Sequence, residues 1–167
     1  GAAATSPAPA AAAAATPFQT TVVSYNMLTT KANAGNWTKL TSSTVTQNHI
    51  KEDLAWNRRV VVAASWLNSR PGDVIGLQEN YDNDQGVKQV LDLLKLMPGF
   101  AVAQAGQETP ILYRTSVYSK VSEGTFQTTF KGRKYGSATA AFDRYCSWVL
   151  LKNTATGRSM YAFNTHT

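Results

Sequence analysis

The 167-residue chain has one cysteine, two histidines and ten acidic side chains against sixteen basic ones. A single cysteine excludes an internal disulfide. Cys146 stands in an apolar, strand-like run and reads as a buried structural thiol, which leaves the redox compartment open. No stretch of about 18 apolar residues occurs, so a membrane-spanning helix is excluded. Charged residues make up only 16% of the chain and hydrophobic ones 43%. That balance excludes a disordered chain and fits one globular domain. No internal repeat of fixed period is present.

What is present is unevenly distributed. Residues 1–17 are an uncharged Ala/Pro-rich segment with neither a basic n-region nor a strongly apolar core. They read as a tail, either the remnant of a processed export signal or a linker, with the domain over 18–167 and a secreted or extracellular location expected. Residues 1–109 carry eight basic and eight acidic side chains, and residues 110–167 carry eight basic and two acidic. The whole excess of +6 therefore lies in the second part, where it raises the local concentration of phosphate-rich partners.

Periodicity predicts a strand over Thr20–Tyr25 (TTVVSY), then a long polar loop from Thr29 to Ile50. A helix follows from an Asp53 N-cap to Asn68, with Trp56, Val60, Ala63, Ala64 and Leu67 on one face and Pro71-Gly72 beyond it. Asp73–Leu77 reads as a buried strand. A second helix is expected over 85–97, with Val87, Val90, Leu91 and Leu94 as its stripe. Short strands follow over 100–104, 110–114, 117–122, 145–152 and 159–164, the last two joined by a turn at Thr156-Gly157. Helices early and antiparallel strands late predict a mixed α/β sheet covered by helices on its outer face.

Two strands end in chemistry. Asp73-Val74-Ile75-Gly76-Leu77-Gln78-Glu79 delivers Glu79 to the rim of a sheet, where a carboxylate suits a hard cation that also takes water and phosphate oxygens. Asn164-Thr165-His166 delivers an imidazole in the same manner, suited to general acid chemistry or to a hydrogen bond toward a phosphoryl oxygen. Asn26 ends the first strand and offers a carbonyl oxygen or an orienting amide. His49 lies in the polar loop without a motif and receives no role.

Taken in order, Val23-Ser24-Tyr25-Asn26, Trp56-Asn57-Arg58-Arg59, the strand ending in Gln78-Glu79, Ile111-Leu112-Tyr113-Arg114, Gly124-Thr125-Phe126, Arg144 with Trp148, and Thr156-Gly157 leading to Asn164-Thr165-His166 resemble the endonuclease/exonuclease/phosphatase family. The resemblance covers nearly everything from Thr20 onward and implies the DNase I-like fold, a four-layer α/β sandwich. It implies a hydrolase using Mg²⁺ or Mn²⁺, with Glu79 as principal metal ligand and Asn26 beside it. His166, Tyr113 and Asn26 would be the catalytic side chains, with Arg59 as the family's helix arginine. Arg114 and Arg144 would bind substrate, as would Lys131, Arg133 and Lys134 of a basic loop that carries Tyr135. The Gly-Asp-x-Asn and Ser-Asp-His segments of the family are absent from these residues. The expectation is therefore an N-terminal portion lacking the second sheet, with an exposed apolar face, inactive alone and completed by a C-terminal complement.

The implied reaction is in-line attack of water on phosphorus in a phosphodiester, with nucleic acid as the expected partner. The alternatives are a lipid-headgroup, sphingomyelin or inositol-phosphate phosphoesterase, for which Trp37 is the one loop aromatic in evidence, and a non-catalytic phosphate- or nucleic-acid-binding module. Asn36-Trp37-Thr38 also fits an N-glycosylation acceptor.

Overall fold

The computed structural model describes residues 18–29, 55–81 and 88–166. Asp53, Val87, Trp37 with its acceptor pattern, His49 and the 1–17 tail lie outside them. The elements in chain order are β1 (Val22–Asn26), α1 (Trp56–Asn68), β2 (Val74–Gln78), α2 (Gln89–Lys95), β3 (Phe100–Ala103), β4 (Ile111–Arg114), β5 (Tyr118–Thr129), β6 (Lys134–Tyr135), β7 (Ala138–Thr139), β8 (Arg144–Asn153) and β9 (Ser159–Thr165).

Three layers result among the described residues. The two helices cover one face of a four-stranded sheet ordered β1-β2-β4-β3, and the other face packs on a three-stranded antiparallel sheet ordered β5-β8-β9. β1 and β2 run parallel, whereas β4 runs antiparallel to both β2 and β3. β2 is buried on both faces, which explains its continuous apolar reading. The five α1 residues expected inward, Trp56, Val60, Ala63, Ala64 and Leu67, are the buried ones. Together with Leu77, Leu93, Met97 and Leu112 they form the helix-to-sheet core. Each fully buried Leu there contributes about 1.5–3 kcal/mol.

Some expectations need correction. In α2 Val90 is buried and Leu94 packs on the core as expected, but Leu91 is exposed, and Gln89 and Leu93 are buried in addition; Gln89 accepts from the Tyr81 N–H and donates to the Leu28 carbonyl. The second sheet is not missing, since β5, β8 and β9 build three strands of it. β5 is a twelve-residue strand, twice the expected length, because β-bulges at Val121 and Thr128 let it follow β8 throughout. The outward face of this sheet does expose Phe126, Tyr161 and Phe163.

The two sheets meet at a polar clamp. Leu77 donates its N–H to the Pro110 carbonyl (3.0 Å), which makes the two a hydrogen-bonded antiparallel pair that ordinarily exchanges two bonds. Proline has no N–H to return. The Asn164 side-chain amide on β9 supplies the missing donor, at 2.6 Å from the Leu77 carbonyl, and also reaches the Pro110 carbonyl (3.0 Å). Its own oxygen accepts from Gln78 Nε2 at 2.8 Å. Only glycine fits at position 76, where a Cβ would lie 2.8 Å from Asn164 Oδ1.

Gly76→Ala and Asn164→Ala are each expected to cost about 1–3 kcal/mol, the first by overpacking and the second by leaving the Leu77 carbonyl unpaired. The double variant should cost less than the sum, because removing the Asn164 amide vacates the space that the new methyl needs. Urea denaturation of the four proteins checks this, and strict additivity would disprove the clamp.

Candidate active site

β1 and β2 are parallel, so their C-terminal ends lie side by side and carry Asn26 and Glu79. Asn26 Nδ2 donates to Glu79 Oε1 (2.9 Å) and the Thr29 N–H donates to Oε2 (2.9 Å). Asn26 Oδ1 accepts from the Leu28 N–H. Both Glu79 and Leu28 have positive φ, 61° and 57°. Such backbone is uncommon outside glycine and persists only where the surroundings impose it. Here Arg59, from α1, donates to the carbonyls of Met27 and Leu28 and fixes that turn. Arg59 thus positions the loop; burial lowers its pKa against the raising influence of Tyr25 and Glu79.

β9 brings His166 to the same rim. His166 Nδ1 lies 2.7 Å from Glu108 Oε1, and Nε2 lies 3.9 Å from Glu79 Oε1. An ionised carboxylate only accepts, so the geometry assigns the Nδ1 proton to the bond with Glu108 and turns Nε2 toward Glu79. Arg144, at the start of β8, donates from Nη1 to both Glu108 oxygens (2.9 and 3.3 Å). Glu108 is held in turn by its neighbours. Its carbonyl accepts from the Asn80 N–H, Asn80 Nδ2 bridges the Ala105 and Gln107 carbonyls, and the Thr109 and Ser147 hydroxyls bond between the sheets. The group opens on a cleft of about 600 Å³ lined by Glu79, Tyr81, Glu108, Phe142, Arg144 and His166.

Burial pushes the Glu79 carboxyl up, but the hydrogen bonds from Asn26 and Thr29, and the charges of His166 and Arg144, outweigh it and hold the group below the ordinary glutamate range. Glu79 is thereby kept ionised, ready to accept or to ligate.

Of the expected residues, the structure gathers Asn26, Glu79, Arg144 and His166. It does not gather Tyr113 and Arg114. β4 is antiparallel to β2, so the end of β4 meets the start of β2: Tyr113 pairs with Val74 and is buried between the sheets, and Arg114 bonds the Gly72 carbonyl and stacks over Phe100. The same antiparallel pairing brings the residue before β4, Glu108, to the site instead. Lys131, Arg133 and Lys134 sit on or beside the β6-β7 hairpin, outside this group, and are exposed. Asn26 accepts from Leu28 at its oxygen and donates its nitrogen to Glu79, so as placed it orients the carboxylate and keeps one lone pair on its oxygen.

For a metal, the fit rests on the Glu79 carboxylate, with the Asn26 amide bonded to it. Each carboxylate oxygen accepts one hydrogen bond and retains a further lone pair, as suits an ion that keeps most of its water. Among the described residues no group of three or more His, Cys, Asp or Glu forms a cation cage. No described helix is long and apolar enough to cross a membrane.

The fold is a DNase I-like α/β sandwich, shared with solved endonuclease/exonuclease/phosphatase structures. The chain matches the structure of an endonuclease/exonuclease/phosphatase family protein from Bacteroides thetaiotaomicron with a TM-score of 0.62 at 24% identity, over 88% of this chain and 50% of that one. It matches a mannosyl-6-phosphatase of Bacteroides thetaiotaomicron VPI-5482 with a TM-score of 0.62 at 23% identity, over 89% and 51%. It also matches ANGEL2, a 2′,3′-cyclic phosphatase solved with adenosine-2′,3′-vanadate, with a TM-score of 0.57 at 18% identity, over 87% and 40%. At these identities the likeness is one of fold, and the chain spans about half the length of the first two structures and less of the third. No family model and no curated protein matches the sequence.

A carboxylate whose pKa is lowered on folding contributes stability that is present in full above its unfolded value and is lost as pH falls through the lower folded value. Unfolding followed between about pH 7 and pH 3 should therefore show an acid loss of stability that Glu79→Gln reduces. An unchanged pH profile in that variant would contradict the assigned hydrogen bonds.

Proposed function

We propose that the protein containing this chain is a metal-dependent phosphoesterase, most specifically a phosphodiesterase of nuclease type, in which water attacks phosphorus in line with the leaving oxygen. The observation that supports this reading best is the imidazole of His166 held between two carboxylates, with Arg144 on one of them, at the mouth of a cleft. The fold neighbours add weight, since two of them are named as phosphatases.

The roles follow from the geometry. Glu108 orients His166 through Nδ1, so Nε2 faces the space beside Glu79, where the imidazolium form can donate to a phosphoryl oxygen or pass it a proton. Arg144, a fork of five N–H donors with Nη1 turned to Glu108, can direct others to the phosphate. Glu79 would hold Mg²⁺ or Mn²⁺, kept ionised and aimed by Asn26 and Thr29; when bound, such an ion supplies charge neutralisation at the phosphate. The attack itself requires a base that deprotonates water. Glu79 and Glu108 are both committed to other partners, so base catalysis is assigned to the whole protein and not to these side chains.

With bis(p-nitrophenyl) phosphate as substrate for the whole protein, His166→Ala is expected to lower kcat by about 10²–10⁴-fold. Glu108→Gln should lower it less and alter its pH profile, because Glu108 acts through His166. Full turnover in His166→Ala would refute the assignment.

A further inference from the structure

Beyond the cleft that holds Glu79, a second groove of about 760 Å³ opens on the other side of Phe142. The two share Phe142, Arg144 and His166, so Phe142 forms the ridge between them. Its ring is 62% exposed, and the Arg144 guanidinium carbon lies 5.4 Å from its centroid. Small residues, Ala138, Ala140 and Ala141, line it together with Tyr135, also exposed.

This groove is built on an ordered ledge. β6 and β7 pair antiparallel around a two-residue loop that begins with Gly136 at φ 63°, the position where such a turn takes glycine. Gly132 donates to the Ala140 carbonyl (2.8 Å), Ala140 donates back to the Arg133 carbonyl (3.0 Å), and Asp143 accepts from both the Lys131 N–H and Gln127 Nε2. The residues expected to form a loose basic loop are thus a positioned hairpin. Arg133 lies 5.8 Å above the Tyr135 ring and 6.0 Å from that of Phe130, with Lys131 and Lys134 on either side.

Exposed rings are costly to leave in water, and Phe142 and Tyr135 offer flat faces in one groove, which Arg144 also lines and which Arg133 adjoins through its place over the Tyr135 ring. A planar ring stacks on such faces, and a polyanionic backbone follows the cations. We propose that this groove is a single-stranded nucleic-acid subsite. In it a nucleobase next to the phosphate held by His166 and Arg144 stacks against Phe142 and Tyr135, and the neighbouring phosphates of the strand run along Lys131, Arg133 and Lys134. The proposal rests on the phosphoesterase reading for the position of the reacting phosphate. A hexose would use the rings but has no need of the three cations. A lipid chain would find a groove open to water beside a basic hairpin.

The test is equilibrium binding in EDTA, which prevents turnover, with a fluorescein-labelled single-stranded oligothymidylate of about ten nucleotides and an abasic phosphodiester of the same length. Phe142→Ala and Tyr135→Ala should each weaken the base-bearing strand about ten-fold and leave the abasic one unchanged. Charge reversal at Lys131, Arg133 and Lys134 should weaken both strands and flatten the dependence of affinity on salt. Equal effects of the ring variants on both strands, no effect on either, or a hexose 6-phosphate that displaces the oligonucleotide only when Phe142 is present would each overturn the subsite. Hydrolysis of bis(p-nitrophenyl) phosphate separates the two readings. Glu79-dependent turnover without base-dependent binding sinks the subsite alone, and base-dependent binding without turnover sinks the hydrolase reading alone.

Discussion

One side-chain amide holds the two sheets in register. Pro110 breaks the ladder between β2 and β4 opposite Leu77, two residues before Glu79, and Asn164 restores the lost donor from another sheet. A buried carbonyl left without a partner costs about 1–3 kcal/mol, so the structure has a strong reason to keep β9 in that place and at that height. Two residues further along the same strand stands His166. On the other side of the clamp, Gln78 bonds the Asn164 oxygen, and the next residue is Glu79. The distance between the acid and the imidazole is therefore set by a buried hydrogen-bond network and not by their own weak contact at 3.9 Å.

Topology explains which residues join them. Parallel pairing of β1 and β2 puts two strand ends on one rim, and antiparallel pairing of β4 puts a strand beginning there. Glu79 arrives in a left-handed backbone conformation that its hydrogen bonds and Arg59 impose from three directions. Such strain at a rim facing a cleft is the kind that folds keep where a side chain must be aimed. Glu108, Arg144 and His166 then form one hydrogen-bonded chain in which no member lacks a partner.

Much of this was legible in the sequence, and the failures have physical causes. The inward face of α1 was readable in full because helical periodicity on a single buried face is a strong signal. Glu79 and His166 were readable because both follow apolar strands. Tyr113 and Arg114 were misplaced because a strand end looks the same whichever way the strand runs, and direction is decided by long-range pairing. Glu108 was missed for the same reason, since it precedes its strand and has no motif of its own. The β6-β7 hairpin reads as a loop in the sequence because two-residue strands carry too little pattern to register. Phe142 was silent because a lone exposed aromatic is common, and only its place between two grooves gives it meaning.

The most direct measurement is a titration of inorganic phosphate followed in the imidazole nitrogen NMR spectrum, in which the histidines of these 167 residues are His49 and His166. The structure requires His166 to carry its proton on Nδ1, hydrogen-bonded to Glu108, and to answer phosphate at Nε2, with that response lost in Arg144→Ala or weakened in Glu108→Gln. A His166 spectrum that ignores phosphate at every concentration, or shows the proton on Nε2 alone in the neutral ring, would contradict a phosphate site at this rim.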